Sequence, residues 1–435
     1  MVKELNISKG KVVESPPVKE NLNVEVEAVQ TNEIGKEVNP TLETKKVKKK
    51  IQLSPKTVKL LLITSAVLLV FGIAAFYYFG IYKAKPFKNP SEIINLNSEY
   101  LISQAVASSL TNLPSVIPQE PRTEVSPING LLFTKTEMNK LKGRRPVAVM
   151  INNHAEARPQ SGLNSADIVY ETLAESGITR YLGIFWSEAP AKVGPIRSAR
   201  QYYLEWLSPY DPLFIYDGCA DTDNPKTDAC GNISSYNIKK IATIGAWRWN
   251  DGRRYAPHNE YSSITNAWEY GQKMNWDSFP TVKAWKFKND AVVSERGTKT
   301  KINITFHQRI NNNGLYDTVW TYDPKTNSYL LQTGKQASLD QETNTQVFAK
   351  NVVIQEVSMM PSYDDSGRII QDTIGEGKAV FLIDGKILEG TWKKISRLDR
   401  TVYYYSDGNE VQFNRGRIWI NALSRSEGKF AIIEQ

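Results

Sequence analysis

"ADIVYETLAESGITRYLGIFWSE", Ala166–Glu188, is the stretch on which the fold turns. Two apolar runs flank Ser176 and Gly177, which reads as two strands about a turn; a helix over the first run is the competing reading. Glu171 and Glu175 share a side under either one, because four residues is close to a whole number of repeats for a strand and for a helix. In the hairpin reading, Arg180 returns roughly opposite Glu175, within reach of a cross-strand ion pair.

Upstream, "RPVAVMINN" is a short apolar strand. Downstream, "VGPIRSARQYYLEW", Val193–Trp206, places Ser198 three residues before Gln201, a capping box opening a helix whose apolar face runs through Tyr203, Leu204 and Leu207. Arg197 and Arg200 then crowd the positive end of that helix, each disfavoured by about 0.3–1 kcal/mol, and they also repel each other. Negative charge is required there. "PLFIYDG" follows as a buried strand entering a loop bounded by Cys219 and Cys230. Strands and helices interleaved in this way predict an α/β domain, mixed α+β in character, over residues 131–285.

From about Lys301 the pattern becomes antiparallel. "LYDTVWTYDPKTNSYLLQTG" reads as a hairpin around Pro324–Asn327, and further short strands punctuated by Asp-Gly turns predict a small antiparallel β-rich domain over 301–435. Trp392 and Trp419 lie in such strands, where aromatics belong to the core rather than to a carbohydrate-stacking platform. There is no internal repeat.

The first part of the chain has another character. Leu60–Tyr82 runs 23 residues without a charge, enough at 1.5 Å per residue to cross a hydrocarbon layer of about 30 Å. Seven lysines between Lys45 and Lys59 outnumber the three that follow Tyr82 closely, Lys83, Lys85 and Lys88, so the N-terminus is expected in the cytoplasm and everything after Tyr82 outside. Residues 1–59 are lysine- and glutamate-rich and short of aromatics, the composition of a disordered tail. Residues 83–130, which include a Pro-rich run, read as a stalk. The expected arrangement is a single-pass protein of the cell membrane with extracellular C-terminal domains.

In an outer compartment Cys219 and Cys230 suggest a disulfide, the alternative being two free thiols. The three histidines, His154, His258 and His307, are not spaced with the cysteines as a ligand set, so no metal site and no cofactor are expected. Half of the net charge of +8 falls before residue 60, leaving too little outside for a phosphate-tracking surface, and nucleic acid is not an expected partner.

The run from Arg145 to Arg200, containing ARPQSGL, GITR and GPIRSAR, together with "RYAPHNEYSS" at Arg254–Ser263 and the segments "GKAVFLIDGKILEGTWKK" and "NRGRIWINAL", resembles the YerB-like family of bacterial envelope proteins, a family of unknown function. The resemblance spans nearly everything from Leu131 onward. It implies two adjoining domains and a membrane-attached protein outside the cell of a Gram-positive type bacterium, and it brings no established reaction or ligand. Family members often look like lipoproteins anchored through an N-terminal cysteine. Here no cysteine precedes Cys219, so the apolar segment takes that role and lipidation is not expected.

The candidate ligand-binding residues are Arg158, Gln160, Ser161, Glu171, Glu175, Arg180, Arg197, Ser198, Arg200, His258 and Asn259. In one reading the glutamates and arginines are a paired network with no ligand. In another the arginines outnumber the carboxylates and, with free amides at the helix start, bind or scaffold an anionic envelope component such as a wall polymer, a lipid-linked precursor or a partner protein. An enzyme acting on such a polymer would use Glu171 or Glu175 as base, His258 as acid or base and the arginines as oxyanion stabilisers. No nucleophile motif, phosphate loop or metal-ligand spacing connects these parts.

Overall fold

The hairpin reading of Ala166–Glu188 is the one the chain adopts. In the computed structural model, which describes residues 120–298 and 301–433, strand β1 is Val147–Asn152, β2 is Ile168–Leu173 and β3 is Thr179–Phe185, with β3 paired antiparallel to both. Every residue of β2 is buried. A strand covered on both faces shows no polar alternation, which is why a helix competed on periodicity. The turn Glu175–Gly177 places Ser176 and Gly177 at φ 57° and 69°, and a β-carbon on Gly177 would lie 1.6 Å from the Ile310 carbonyl oxygen. Glycine meets both demands.

β4, Leu213–Ile215, pairs parallel to β1, and β5, Lys239–Lys240, parallel to β4. The sheet continues with strands from far along the chain. β6 (Lys301–Thr305), β7 (Thr318–Asp323) and β8 (Ser328–Thr333), then β9 (Gln336–Ala337) and β10 (Phe348–Ala349), belong to a second sheet of six strands. β11 (Asn351–Pro361), β12 (Ile369–Asp372), β13 (Gly375–Ile383), β14 (Lys386–Lys394), β15 (Val402–Tyr405) and β16 (Ile418–Ser424) return to the first sheet, and β17 (Lys429–Ile433) edges the second. The first sheet has eleven strands in the order β15-β14-β13-β11-β16-β2-β3-β1-β4-β5, with β12 paired to β11.

The expected hairpins form at β7–β8 and β13–β14, the latter turning through Asp384 and Gly385. The purely antiparallel expectation after residue 301 is corrected at β16. It runs parallel to β11, Asn351 opposite Ile418, and parallel to β2, Ile418 opposite Ile168. Turn chemistry dictates local hairpins; it carries no signal for strands paired across 250 residues.

The second sheet and helix α4 (below) cover one face of the eleven-stranded sheet, where Tyr181, Trp320, Trp419 and Leu331 share a core. Helices α1 (Lys135–Lys142), α2 (Gln201–Leu207) and α3 (Ala229–Ser235) cover the other, which buries Met138, Tyr203, Trp206 and Ile233. α4 is Ile264–Lys273. Trp392 and Trp419 are 1% and 0% exposed, core residues as read from their strands. Cys219 and Cys230 form a disulfide with Cα atoms 5.3 Å apart, closing the loop into α3. The tail 1–59, the apolar segment 60–82 and residues 83–119 lie outside the described residues, among which no helix is long and apolar enough to cross a membrane. Ser126, Ile128 and Asn129 are already packed against the body.

Candidate functional site

The signature segments meet beyond the end of β1. Residues 193–199 run as an irregular strand tied to three others: Ser161 bridges Gly194, Val193 bridges Ser262, and Ala199 bridges Cys219. The Asn152 N–H donates to the Pro195 carbonyl, and the Arg197 N–H to that of Met150. The ARPQSG, GPIRSAR and APHN segments each contain a cis proline bond, Arg158–Pro159, Gly194–Pro195 and Ala256–Pro257. Gln160, Ser161, Arg197, Ser198, His258 and Asn259 are thereby placed on adjoining segments.

The capping box read at Ser198 is not formed. Arg200 is the N-cap of α2 and supplies no side-chain cap. Ser198 is instead part of the irregular strand, its carbonyl accepting from Arg180 at 2.7 Å. The bridge from Ala199 to the 217–219 segment holds the chain extended for two residues beyond the motif, a tertiary demand that overrides local propensity.

Glu175 answers most of the charge at the helix start. Its carboxylate takes Arg200 at two points, Nε and Nη2, and lies 3.7 Å from Arg180 Nη2. Burial pushes this carboxyl up, but the Arg200 hydrogen bond and the charges of Arg200 and Arg180 outweigh it and hold it below the usual range. Arg180 sits across from Thr172, not from Glu175, so the ion pair closes through the turn rather than straight across the strands.

Glu171 does not join them. It points to the opposite face of the sheet, with no exposure, and accepts from Thr179, from Thr318 of the second sheet and from Trp419 Nε1. Burial pushes it up to about 7 against those three donors. The shared side expected for Glu171 and Glu175 fails because the strand ends at Leu173 and the turn redirects Glu175. Arg158 is satisfied by neutral groups, the side-chain and backbone oxygens of Asn153 and the Leu315 carbonyl, and stacks on Tyr316. Gln160 is buried and donates to the Asn152 carbonyl and Asn153 Oδ1.

Arg197 is left over. Half-buried, it makes no side-chain hydrogen bond or ion pair among the described residues. Burial lowers its pKa first; among the charges Asp217 opposes this most, Arg200 and Arg248 act with burial, and Glu175 also opposes it. Asp217 interacts with Glu260, which is itself paired with Arg248 at 2.6 Å. Asn259 Oδ1 accepts from Arg248 Nη1.

His258, which feels the charge of Arg197, stands in a setting the sequence reading missed. His154 stacks on it, ring centroids 4.3 Å apart, Asn152 Nδ2 is 2.9 Å from His258 Nδ1, and Glu156 Oε2 is 3.4 Å from Nε2. Burial, His154 and Arg197 lower the His258 pKa, so the ring is neutral near pH 7. His154, Glu156 and His258 have ligand atoms within 4.8 Å of one another, a spacing compatible with a cation. The hydrogen bonding speaks against it. Asn152 Oδ1 accepts from the His154 N–H, so Nδ2 must be the group facing His258, which makes Nδ1 an acceptor and leaves the proton on Nε2. Asn152, His154 and Glu156 all stand within "MINNHAEARPQ", but no spacing rule joins them to His258 more than a hundred residues away.

The two packed sheets, with a polar site on irregular segments beyond β1, define a β-rich, two-domain class of protein. Residues 133–277 match the N-terminal domain, and residues 304–420 the C-terminal domain, of a protein family of unknown function, DUF3048. The chain belongs to this YerB-like family. The Bacillus subtilis (strain 168) protein named "Putative lipoprotein YerB" is 31% identical over 325 residues, covering 72% of this chain and 92% of that protein. The crystal structure of YerB from Bacillus subtilis matches with a TM-score of 0.60 and 29% identity, over 71% of this chain and 100% of the crystallised one.

Proposed function

We propose that the protein is anchored in the membrane through residues 60–82, with its N-terminus in the cytoplasm, and that its folded region binds an anionic component of the cell envelope at Arg197. The observation that carries this reading is how the arginines are served: Glu175 takes Arg200 and Arg180, neutral oxygens take Arg158, and Arg197 makes no side-chain hydrogen bond or ion pair among the described residues, with Asp217 and Glu175 acting on it only through their charge. A half-buried guanidinium with no hydrogen bond or ion pair of its own is stabilised by an anion. The lipoprotein name of the Bacillus relative supports an envelope location.

The test is co-sedimentation of the full chain, in detergent, with isolated cell-wall material. Wild type is expected in the pellet at low salt, and Arg197→Gln in the supernatant. Equal partition of both would remove the reading. Cleavage of the folded region by protease added to intact cells, with the tail protected, tests the topology.

A second reading, an enzyme acting on the same polymer, is favoured by the neighbouring carboxyls of Asp217 and Glu260, whose segment also feels Arg197: burial and then the Asp217 charge raise the Glu260 pKa, while Arg248 lowers it. Loss of turnover with retained binding in Glu260→Gln would establish it.

A further inference from the structure

We infer that Lys288 and Asn414 become joined by an amide bond inside the folded chain, with Asp384 as the group that moves the proton. This self-made modification is independent of the Arg197 site.

Lys288 and Asn414 are direct partners in a short parallel pair, Lys286–Lys288 beside Gln412–Asn414. Asn414 has no exposure, and its backbone N–H and carbonyl are both engaged by the Asn351 side chain, at 2.7 and 2.8 Å. Lys288 Nζ donates to Asn414 Oδ1 at 2.6 Å. A C=O bond adds about 1.23 Å, so the lysine nitrogen is at most about 3.8 Å from the amide carbon, close to a near-attack separation.

Asp384 touches both ends of the reaction. Its Oδ2 accepts from Lys288 Nζ, and its Oδ1 accepts from Asn414 Nδ2 at 2.7 Å. An ammonium only donates and a carboxylate only accepts, so Asn414 must turn Oδ1 to Lys288 and Nδ2 to Asp384. Asp384 sits in the β13–β14 turn at φ 53° and is held by Asn327 Nδ2 at 2.8 Å, while Asn327 Oδ1 takes the Tyr322 hydroxyl at 2.8 Å. An ion pair alone needs only Lys288 and Asp384. Here the carboxylate also spans from the attacking nitrogen to the nitrogen that leaves.

The step balances without a co-reactant. Asp384 Oδ2 takes a proton from the Lys288 ammonium, and the freed Nζ lone pair forms a C–N bond to Asn414 Cγ. The Cγ–Nδ2 bond then breaks and its electron pair leaves with the nitrogen. That nitrogen takes up the two protons Nζ has shed, delivered by Asp384, and departs as ammonium. The Lys288 side chain is 29% exposed, which gives the ammonium a way out. Burial pushes the Asp384 carboxyl up, but hydrogen bonds from Lys288, Asn327 and Asn414 outweigh it and hold it at about 2. The resting state is therefore the ion pair, and the bond forms once and slowly after folding. It closes a loop of 126 positions that the Cys219–Cys230 disulfide does not span.

The experiment is mass spectrometry of the full chain, purified folded in detergent, held for a day at pH 7.5 and then denatured. Wild type is expected to be lighter than its sequence mass by one ammonia, and its digest to contain a branched peptide joining Lys288 to Asn414. Lys288→Arg, which keeps a cation beside Asp384, and Asn414→Ala are expected at full mass with no branched peptide. Asp384→Asn, its fold checked by near-ultraviolet circular dichroism, is expected to link about a hundredfold more slowly. Wild type at its full sequence mass overturns the inference. Loss of water, with the link on Asp384, overturns Asn414 as the acceptor. Linkage at the wild-type rate in Asp384→Asn overturns the proton-carrying role, and linkage in a chain kept in urea from the start overturns the dependence on the fold.

Discussion

Glu175 grips Arg200 at both Nε and Nη2 and keeps Arg180 within 3.7 Å, so one carboxylate holds the β2–β3 turn to the start of α2. Both arginines are mostly buried, with side-chain exposures of 16% and 9%. Replacing Glu175 by Gln leaves two guanidinium groups repelling each other in a poorly solvated place. The expected loss is about 3 kcal/mol of unfolding free energy, read from the urea midpoint.

Arg197→Gln should behave in the opposite way. No hydrogen bond or ion pair is lost, and the attractions of Asp217 and Glu175 are lost together with the repulsions of Arg200 and Arg248, so stability is expected to stay within about 0.5 kcal/mol of wild type. A loss as large as that of Glu175→Gln would show that Arg197 is tied into the network.

Glu171 gives a pH signature. Its folded pKa, about 7, exceeds the ordinary 4.5, so the folded state holds the proton more tightly than the unfolded chain between those values. The contribution is complete at low pH and is lost as pH rises to 7. Glu171→Gln lacks this dependence. The stability of wild type relative to the variant should fall by roughly 3 kcal/mol between pH 4.5 and 8, at 1.36 kcal/mol per pH unit. A flat difference in denaturation at four pH values would contradict the burial argument.

Reduction of Cys219–Cys230 opens a short loop ahead of α3. From loop closure the expected cost is about 3 kcal/mol, measured as a lower thermal midpoint in reductant or in the double Ser variant.

A chain ending at Arg415 lacks β16 and β17. It leaves β2 and β11 without their shared neighbour and exposes Trp320 and Tyr181, which pack on Trp419. Calorimetry is expected to show no cooperative transition in either half of the sequence. Cooperative melting of 120–298 alone would show that the first half is self-sufficient.

What the sequence made legible was local. The Ser176–Gly177 turn, the hairpin at Pro324–Asn327 and the Asp384–Gly385 turn were readable because residues that tolerate φ > 0 sit between apolar runs. The signature segments around ARPQSG, GPIRSAR and APHN were readable as the place where chemistry collects. The pairing of β16 with β2 was not, since no residue type encodes a distant partner. The split between Glu171 and Glu175 was hidden too: helix and strand periodicities agree on those two positions, and only the end of β2 at Leu173 separates them. His258 was picked out, but its tautomer depends on Asn152, which looked like the end of a strand.

The position of β16 also sets an order on how the molecule comes into being. During synthesis, β1, β2 and β3 emerge some 250 residues before the strand that must lie against β2. Until then β2 presents a bare edge of buried, mostly apolar residues, a surface open to wrong pairing. β16 thus works as a completion signal: a copy that stops short of it is recognisable by that open edge, and one that includes it hides it.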